Sequence, residues 1–326
     1  MRIYAFSAIA AFLLSACFCR LLLPVLKKLK AGQNILCYVK EHEKKKGTPT
    51  MGGLSFIFAV LILVAVFARK CDRPTIVALS LFLAFAAVGF LDDVTKIKRR
   101  DNLGLKPYQK IIFQSVASVL AGIYCYRSGK IFLHMPFSGK NVGIGVWIVP
   151  LVAFAFLALV NAVNLTDGLD GLAGGSCAAY FFFFGILILA QAAKENGGSI
   201  SENQPLALTC FCVAAALFGF LLFNVPPASV FMGDTGSLAL GGLAAAVAAF
   251  SGNALYIPLI GITFVVSVIT VIMQVIYYKA TKGKRIFLMA PIHHHFQKKG
   301  CSESKISFAY AAVTALAGIV ALAFFR

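Results

Sequence analysis

Charged residues are scarce in this chain. They make up 13% of its 326 residues, against about a quarter in a soluble domain. A chain so poor in charge cannot clothe a water-facing surface, which excludes a soluble globular protein of this length. Acidic residues are scarcer still, 12 against 30 basic ones, so the position of each carboxylate is informative. The nine cysteines are scattered and form no CxxC pair. That excludes a disulfide framework and a zinc site as organising elements; within apolar runs a free cysteine acts as a small hydrophobe. The net charge of +18 comes with no nucleic-acid-binding motif, so it reads as topology signal and anionic-lipid contact, not nucleic-acid binding.

What the chain has in quantity is apolar sequence, 60% of its residues. Long runs nearly free of charge recur, among them 51–68, 75–91, 146–163 and 307–325. Each approaches the ~20 residues that cross a hydrocarbon core. The pattern predicts an all-α, polytopic integral membrane protein with about ten transmembrane helices, at 3–26, 52–69, 74–91, 109–126, 143–163, 174–193, 204–223, 236–251, 255–279 and 306–325. The eighth is short. The ninth contains Pro258 and Gly261, which predicts a tilt or kink. The first is long, lacks a clean cleavage site and is followed by Lys27-Lys28, so it reads as a retained helix. Little remains outside the spans, which predicts one integral domain over residues 1–326.

Lys and Arg alternate between loops. They crowd the loop after span 1 (Lys27, Lys28, Lys30, Lys40, Lys44, Lys45, Lys46), the loop after span 3 (Lys96, Lys98, Arg99, Arg100, Lys106, Lys110) and the loop after span 9 (Lys279, Lys282, Lys284, Arg285, Lys298, Lys299, Lys305). The positive-inside rule puts these loops in the cytoplasm and both termini outside.

That assignment used no acidic residue, yet it places the carboxylates together. Asp92-Asp93 end span 3. Asp167 and Asp170 lie in Asn161-Ala-Val-Asn-Leu-Thr-Asp-Gly-Leu-Asp-Gly171. Asp234 lies in Phe231-Met-Gly-Asp-Thr-Gly-Ser237. All belong to cytoplasmic loops, two of which carry no Lys or Arg. Carboxylates against hydrocarbon are costly and mark function, although Asp234, in its Gly-Asp-Thr-Gly-Ser setting, fits a helix cap equally well. Hard oxygen ligands of this kind suit Mg²⁺, which completes its shell with water and substrate phosphate. Three residues apart, Asp167 and Asp170 would share a face of a helical turn, with Asn164 a turn earlier. Lys96 is spaced to neutralise Asp92 or Asp93, or to reach a phosphate. Helix starts near Gly171 and Thr235 would aim N–H groups at anions. Gly241-Gly242, deep in span 8, reads as helix packing.

Two further motifs stand on the same side. His293-His294-His295, after Ala290-Pro-Ile, has no cysteine or carboxylate neighbour to make a transition-metal site, and fits better as donors to a diphosphate. In an extended run His293 and His295 share a side; in a helix the three fan out. Lys44-Lys45-Lys46-Gly-Thr-Pro-Thr-Met-Gly-Gly53 reads as a basic, phosphate-reaching loop ending in a rigid turn.

Together, Gly47–Gly53, Gly89-Phe-Leu-Asp-Asp93, the 161–172 and 231–238 segments and Pro291-Ile-His-His-His-Phe296 resemble the phospho-N-acetylmuramoyl-pentapeptide transferases. These belong to the polyprenyl-phosphate N-acetylhexosamine-1-phosphate transferase superfamily. The likeness runs from about Lys45 to Gly300. It implies a Mg²⁺-dependent enzyme of the bacterial inner (cytoplasmic) membrane, with a cytoplasmic active-site cleft. Such an enzyme transfers phospho-MurNAc-pentapeptide from UDP-MurNAc-pentapeptide to undecaprenyl phosphate, making the first lipid intermediate of peptidoglycan, and is a homodimer. By position the resemblance makes Asp92, Asp93, Asp234 and His293 catalytic, with Asp92 the candidate base and Asp234, with the aspartate pair, the metal site. It puts Lys45, Thr50, Lys96, Lys110, Asn164, Leu165, Asp167, Asp170, Asn224, Phe231, Gln274, His294 and His295 around the substrates, Phe231 stacking on uracil. Gln297 stands where Glu is usual and Cys301 where Trp is usual. A one-step attack and a covalent aspartyl intermediate are both open. The rival readings are a polyprenyl-phosphate GlcNAc-1-phosphate transferase and, in another class, a cation-coupled transporter. Transporter sites lie at the bilayer midplane, whereas these acids sit at helix ends.

Overall fold

The computed structural model describes residues 2–29, 47–67, 71–99, 104–195 and 204–325. Twelve helices account for nearly all of the described secondary structure: α1 (Arg2–Lys28), α2 (Gly53–Phe67), α3 (Arg73–Arg99), α4 (Pro107–Arg127), α5 (Ile148–Thr166), α6 (Leu172–Glu195), α7 (Pro205–Asn224), α8 (Gly233–Phe250), α9 (Ile257–Ile260), α10 (Ile262–Ala280), α11 (Ile292–Lys298) and α12 (Glu303–Ala323). Among the described residues, eight helices are long and apolar enough to cross a membrane, and α2 is a shorter apolar helix. The protein is a polytopic, nearly all-α membrane protein. Each of the ten expected segments coincides with a helix, the ninth as the pair α9 and α10.

Three local outcomes differ from the sequence pattern. The third helix does not stop at Asp92-Asp93 but runs on to Arg99. Its last two turns are rich in lysine, and they carry Lys96 back over the aspartates. The ninth span is broken. Pro258 sits in the first turn of the four-residue α9, and the helix restarts after Gly261, as expected where a ring lacks an N–H and a glycine relaxes the backbone. A short antiparallel hairpin, β1 (Phe132–His134) with β2 (Asn141–Gly143), pairs Leu133 with Val142. It packs by the His134 N–H bond to Gly252 O at 3.0 Å, at the end of α8 remote from Asp234.

The bundle is organised around α8, whose sequence from Thr235 to Phe250 is buried at every position. It is made almost wholly of Gly, Ala, Ser and Leu. Without a hydrophobic drive between helices in lipid, small side chains permit the close contact that dispersion needs. α3 and α5 pack on it most extensively, and α1 with α7 and α6 with α7 and α12 complete the bundle. A Cβ on Gly89 of α3 would fall 2.1 Å from Asp234 O, and one on Gly241 would fall 2.5 Å from Val160 Cα. The Gly89 contact sets the distance between Asp92-Asp93 on α3 and Asp234 on α8, because all three sit within about one turn of that crossing.

Candidate active site

At this end of the bundle Asp92, Asp93 and Asp234 converge. One oxygen from each lies within 4.8 Å of the others. Asp92 and Asp93 are almost wholly buried, a position that ionised carboxylates tolerate only with counter-charge or donors. Lys96 Nζ lies 2.6 Å from Asp92 Oδ2 and 3.2 Å from Asp234 Oδ2. Lys110, in the first turn of α4, lies 2.9 Å from Asp92 Oδ1 and 2.5 Å from Asp234 Oδ2. Asp92 Oδ1 also accepts the Leu105 N–H at 2.7 Å. Two lysines thus bridge Asp92 and Asp234.

Asp93 is held differently. It accepts the N–H groups of Asp234 (3.2 Å) and Thr235 (2.9 Å) and the Thr235 hydroxyl (2.7 Å). The start of α8, expected to face an external anion, receives Asp93 instead. This is the usual preference of helix N-termini for negative charge, satisfied from within the chain. Asp234 is not a cap either: its side chain takes Lys110 and the Asn164 amide (Asn164 Nδ2 to Oδ1, 3.0 Å), and Asn164 also donates to Ser237 Oγ at 2.9 Å.

The 161–172 segment departs from the helical-face reading. α5 ends at Thr166 and residues 167–171 form a turn, so Asp167 and Asp170 do not share a helix face. Asp167 is half-buried; burial, then the carboxylates of Asp234, Asp93 and Asp170, push it up to about 8. Positive charge brought close would favour its ionised form. Asp170 is buried and accepts the Ala228 N–H at 3.0 Å. Asn224, also buried, takes the Gly171 N–H (3.1 Å) and donates to Val230 O (2.9 Å). Both side chains therefore hold the 167–171 turn against the 225–230 loop. Leu165 is half-buried in the last turn of α5.

The remaining expected residues divide. Thr50 is buried at the rim, with its Oγ1 2.7 Å from where a Cβ on Gly233 would stand. Phe231 is partly exposed and pinned on both backbone groups, its N–H to Pro49 O (2.8 Å) and its O to Gly52 N–H (2.9 Å). Gln274 spends its Oε1 on the Ile286 and Phe287 N–H groups at 3.2 and 3.0 Å. The histidines form the helix α11 and fan out. His293 is fully buried against His294 and Tyr310, and among the described residues neither ring nitrogen has a hydrogen-bond partner. Burial, then His294, pushes it down to about 3, so it is a neutral imidazole at physiological pH. His295 Nδ1 accepts the Leu288 N–H at 3.1 Å. Lys45 lies outside the described residues.

The pattern marks Thr235 only as a helix start whose N–H faces an anion and does not single out Ser237 or Leu105; all three complete the aspartate cluster. Thr235 and Ser237 lie in the Asp234 motif, and their i+1 and i+3 spacing from Asp234 is the available signal. Gly168 faces the histidines: a Cβ there would meet His293 Nε2 at 2.6 Å and His294 Nε2 at 2.8 Å. The donor set fits a hard divalent cation: among the described residues, three carboxylates face two ammonium groups.

Comparison with known proteins agrees with this geometry. Residues 75–252 match the family model for glycosyl transferase family 4, a segment that spans Asp92, Asp93, Asp167, Asp170 and Asp234. The phospho-N-acetylmuramoyl-pentapeptide-transferase of Clostridium novyi (strain NT) is 41% identical over 319 residues, 97% of this chain and 95% of the relative. That of Clostridium perfringens (strain 13 / Type A) is 43% identical over 316 residues, 97% of this chain and 96% of the relative. That of Listeria monocytogenes serovar 1/2a (strain ATCC BAA-679 / EGD-e) is 41% identical over 317 residues, covering 96% and 95%. With carboxylates and lysines gathered at the end of a membrane bundle, and likeness over nearly its whole length, this chain belongs to glycosyl transferase family 4 and, within it, to the phospho-N-acetylmuramoyl-pentapeptide-transferases.

Proposed function

We propose that this protein transfers phospho-N-acetylmuramoyl-pentapeptide from UDP-MurNAc-pentapeptide to undecaprenyl phosphate, forming lipid I and releasing UMP in peptidoglycan synthesis. The observation that carries this reading is the Asp92-Asp93-Asp234 cluster, bridged by Lys96 and Lys110 at the end of an apolar bundle. A reaction between a soluble diphosphate and a lipid phosphate needs such a place, polar at one end and bounded by hydrocarbon. The basic loops support a cytoplasmic orientation in the inner membrane, and the whole chain acts as one integral unit.

The transfer is mostly positioning and charge stabilisation. Asp92, Asp93 and Asp234 would hold Mg²⁺, which supplies Lewis-acid stabilisation of the diphosphate oxygens. Asp234 is the leading ligand, being the least buried of the three and offered from the first turn of α8. Asp93 secures that turn through three donors from Asp234 and Thr235. Lys96 and Lys110 already span Asp92 and Asp234, so they are placed to exchange a carboxylate contact for a phosphate oxygen. Asp92 is the candidate acceptor of the lipid phosphate's proton. An oxygen of the lipid phosphate then bonds to the sugar-linked phosphorus, and the bond from that phosphorus to UMP breaks. Phe231, partly exposed on a pinned backbone, is the ring offered to uracil.

The test is direct. Purified protein in detergent or nanodiscs is given UDP-MurNAc-pentapeptide, undecaprenyl phosphate and Mg²⁺, and UMP and lipid I are measured. UMP release that requires the lipid acceptor and ceases with EDTA supports the reading. No UMP, or UMP release from UDP-GlcNAc alone, overturns it.

A further inference from the structure

Gln297 and Glu303 lie outside the reacting cluster, yet they join two parts of the site. His294 Nδ1 lies 3.1 Å from Gln297 Oε1, one turn on in α11. Gln297, itself buried, donates its Nε2 to Glu303 Oε1 at 3.1 Å, across the corner into α12. The other Glu303 oxygen, Oε2, accepts the Asp170 N–H at 3.4 Å. One turn further along α12, Ser307 Oγ donates to Asp170 O at 2.7 Å. A continuous chain therefore runs from an imidazole of the histidine helix to the backbone of the 167–171 turn.

The polarity of that chain is set by its acid end. A carboxylate offers only acceptors. Glu303 therefore fixes which end of the Gln297 amide faces it: the nitrogen. The amide oxygen must then face His294, and an oxygen acceptor requires a proton on Nδ1. Orientation of an amide and a tautomer are usually free choices; here one fixed acceptor decides both. The His294 ring is thereby held with Nε2 over Gly168, 2.8 Å from where a Cβ would stand.

We infer that Gln297 and Glu303 are positioning residues for the donor side of the transfer: they lock the Nδ1–H form of His294 and tie it to the turn carrying Asp167 and Asp170. The inference rests on the functional reading above and deepens it. It assigns a use to Gln297, where the resemblance leads one to expect Glu. An amide and a carboxylate both present an oxygen to His294, but only the amide also donates to Glu303. With Gln, the chain needs no additional proton between two acids.

Gln297→Met keeps the side chain's length in a buried position while removing both hydrogen bonds. Gln297→Glu keeps the acceptor for His294. The proteins are compared with ¹⁵N-histidine labelling in nanodiscs, and KM is measured separately for nucleotide donor and lipid acceptor. In the native protein the His294 Nδ1 resonance shows a bound proton, and Gln297→Glu retains it. Gln297→Met loses that preference and raises the donor KM about tenfold, the scale of one buried hydrogen bond, with the acceptor KM unchanged. Gln297→Glu stays within about threefold of the native donor KM. An unprotonated Nδ1 in the native protein overturns the inference, as does a Gln297→Met protein with unchanged donor KM or with both KM values raised together. If the native protein releases no UMP, the functional reading fails while the resonance still decides the lock.

Discussion

The aspartate cluster and the turn beside it share one end of the bundle and are held by opposite means. In the cluster, Lys96 and Lys110 each touch Asp92 and Asp234, at 2.5–3.2 Å. Around the 167–171 turn, Asp170, Asn224, Gln297, Glu303 and Ser307 hold backbone N–H and C=O groups or one another. The first region keeps cations and anions close enough to trade partners with an incoming phosphate. The second fixes backbone shape, its carboxylates accepting from backbone and amide N–H groups. Loss of a charge in the first leaves buried charge unpaired, whereas loss of a bond in the second loosens a loop, so effects should be far larger in the first.

Asp234 tests the contrast most severely. Asp234→Asn keeps shape and the Asn164 contact but removes the charge that Lys96 and Lys110 share and the proposed metal contact. UMP release should fall about a thousandfold, the scale of losing charge stabilisation at a phosphoryl transfer, with the protein still eluting as the native species. Turnover within tenfold of native would show that the cluster is structural.

Lys110→Met comes next. Among the described residues, it leaves Asp92 Oδ1 with only the Leu105 N–H and Asp234 with Lys96 as its remaining lysine. About a hundredfold loss in kcat/KM should accompany a drop in thermal stability, because breaking a buried ion pair costs roughly 3–5 kcal/mol. The same substitution at Lys279, on the exposed end of α10, should move neither reading.

The two regions also differ in how far the sequence announces them. The helices are legible because hydrocarbon demands length and apolarity, and every expected span coincides with a helix. The gathering of Asp92, Asp93 and Asp234 is legible because charge counting puts all their loops on one side. Their division of labour is not. Nothing in the spacing says that Asp93 turns into the start of α8, or that Asp170 turns inward to Ala228 N–H. Those outcomes depend on where α3 and α8 cross at Gly89 and on α5 ending at Thr166. The bridge from Gln297 to Glu303 is hidden for the same reason: it spans a corner between helices, where no periodicity operates.

Gly168 probes the second region at its tightest point. In Gly168→Ala the new Cβ would fall within 3 Å of both His293 and His294. The rings must shift, at an overpacking cost of about 1–3 kcal/mol. Donor KM should rise several-fold while Asp234-dependent turnover at saturating donor is largely kept. Unchanged kinetics would mean that α11 does not bear on the donor.

The last effect leaves turnover aside and lies in the acid limb of stability, where a histidine of α11 is set against the carboxylates of the first region. His293 is buried, without ring hydrogen bonds among the described residues, and is held down to about 3, while an unfolded histidine titrates near 6.5. The unfolded chain therefore binds the proton first. Stability is undiminished above about pH 6.5 and declines as pH falls toward 3, by roughly 1 kcal/mol for each pH unit from this one group. His293→Phe, which keeps the ring against Tyr310 and cannot charge, should flatten that part of the melting-temperature profile between pH 6.5 and 4.5. An unaltered slope in the variant would assign the acid sensitivity to the carboxylates of the first region instead, whose protonation would leave Lys96 and Lys110 facing each other without counter-charge.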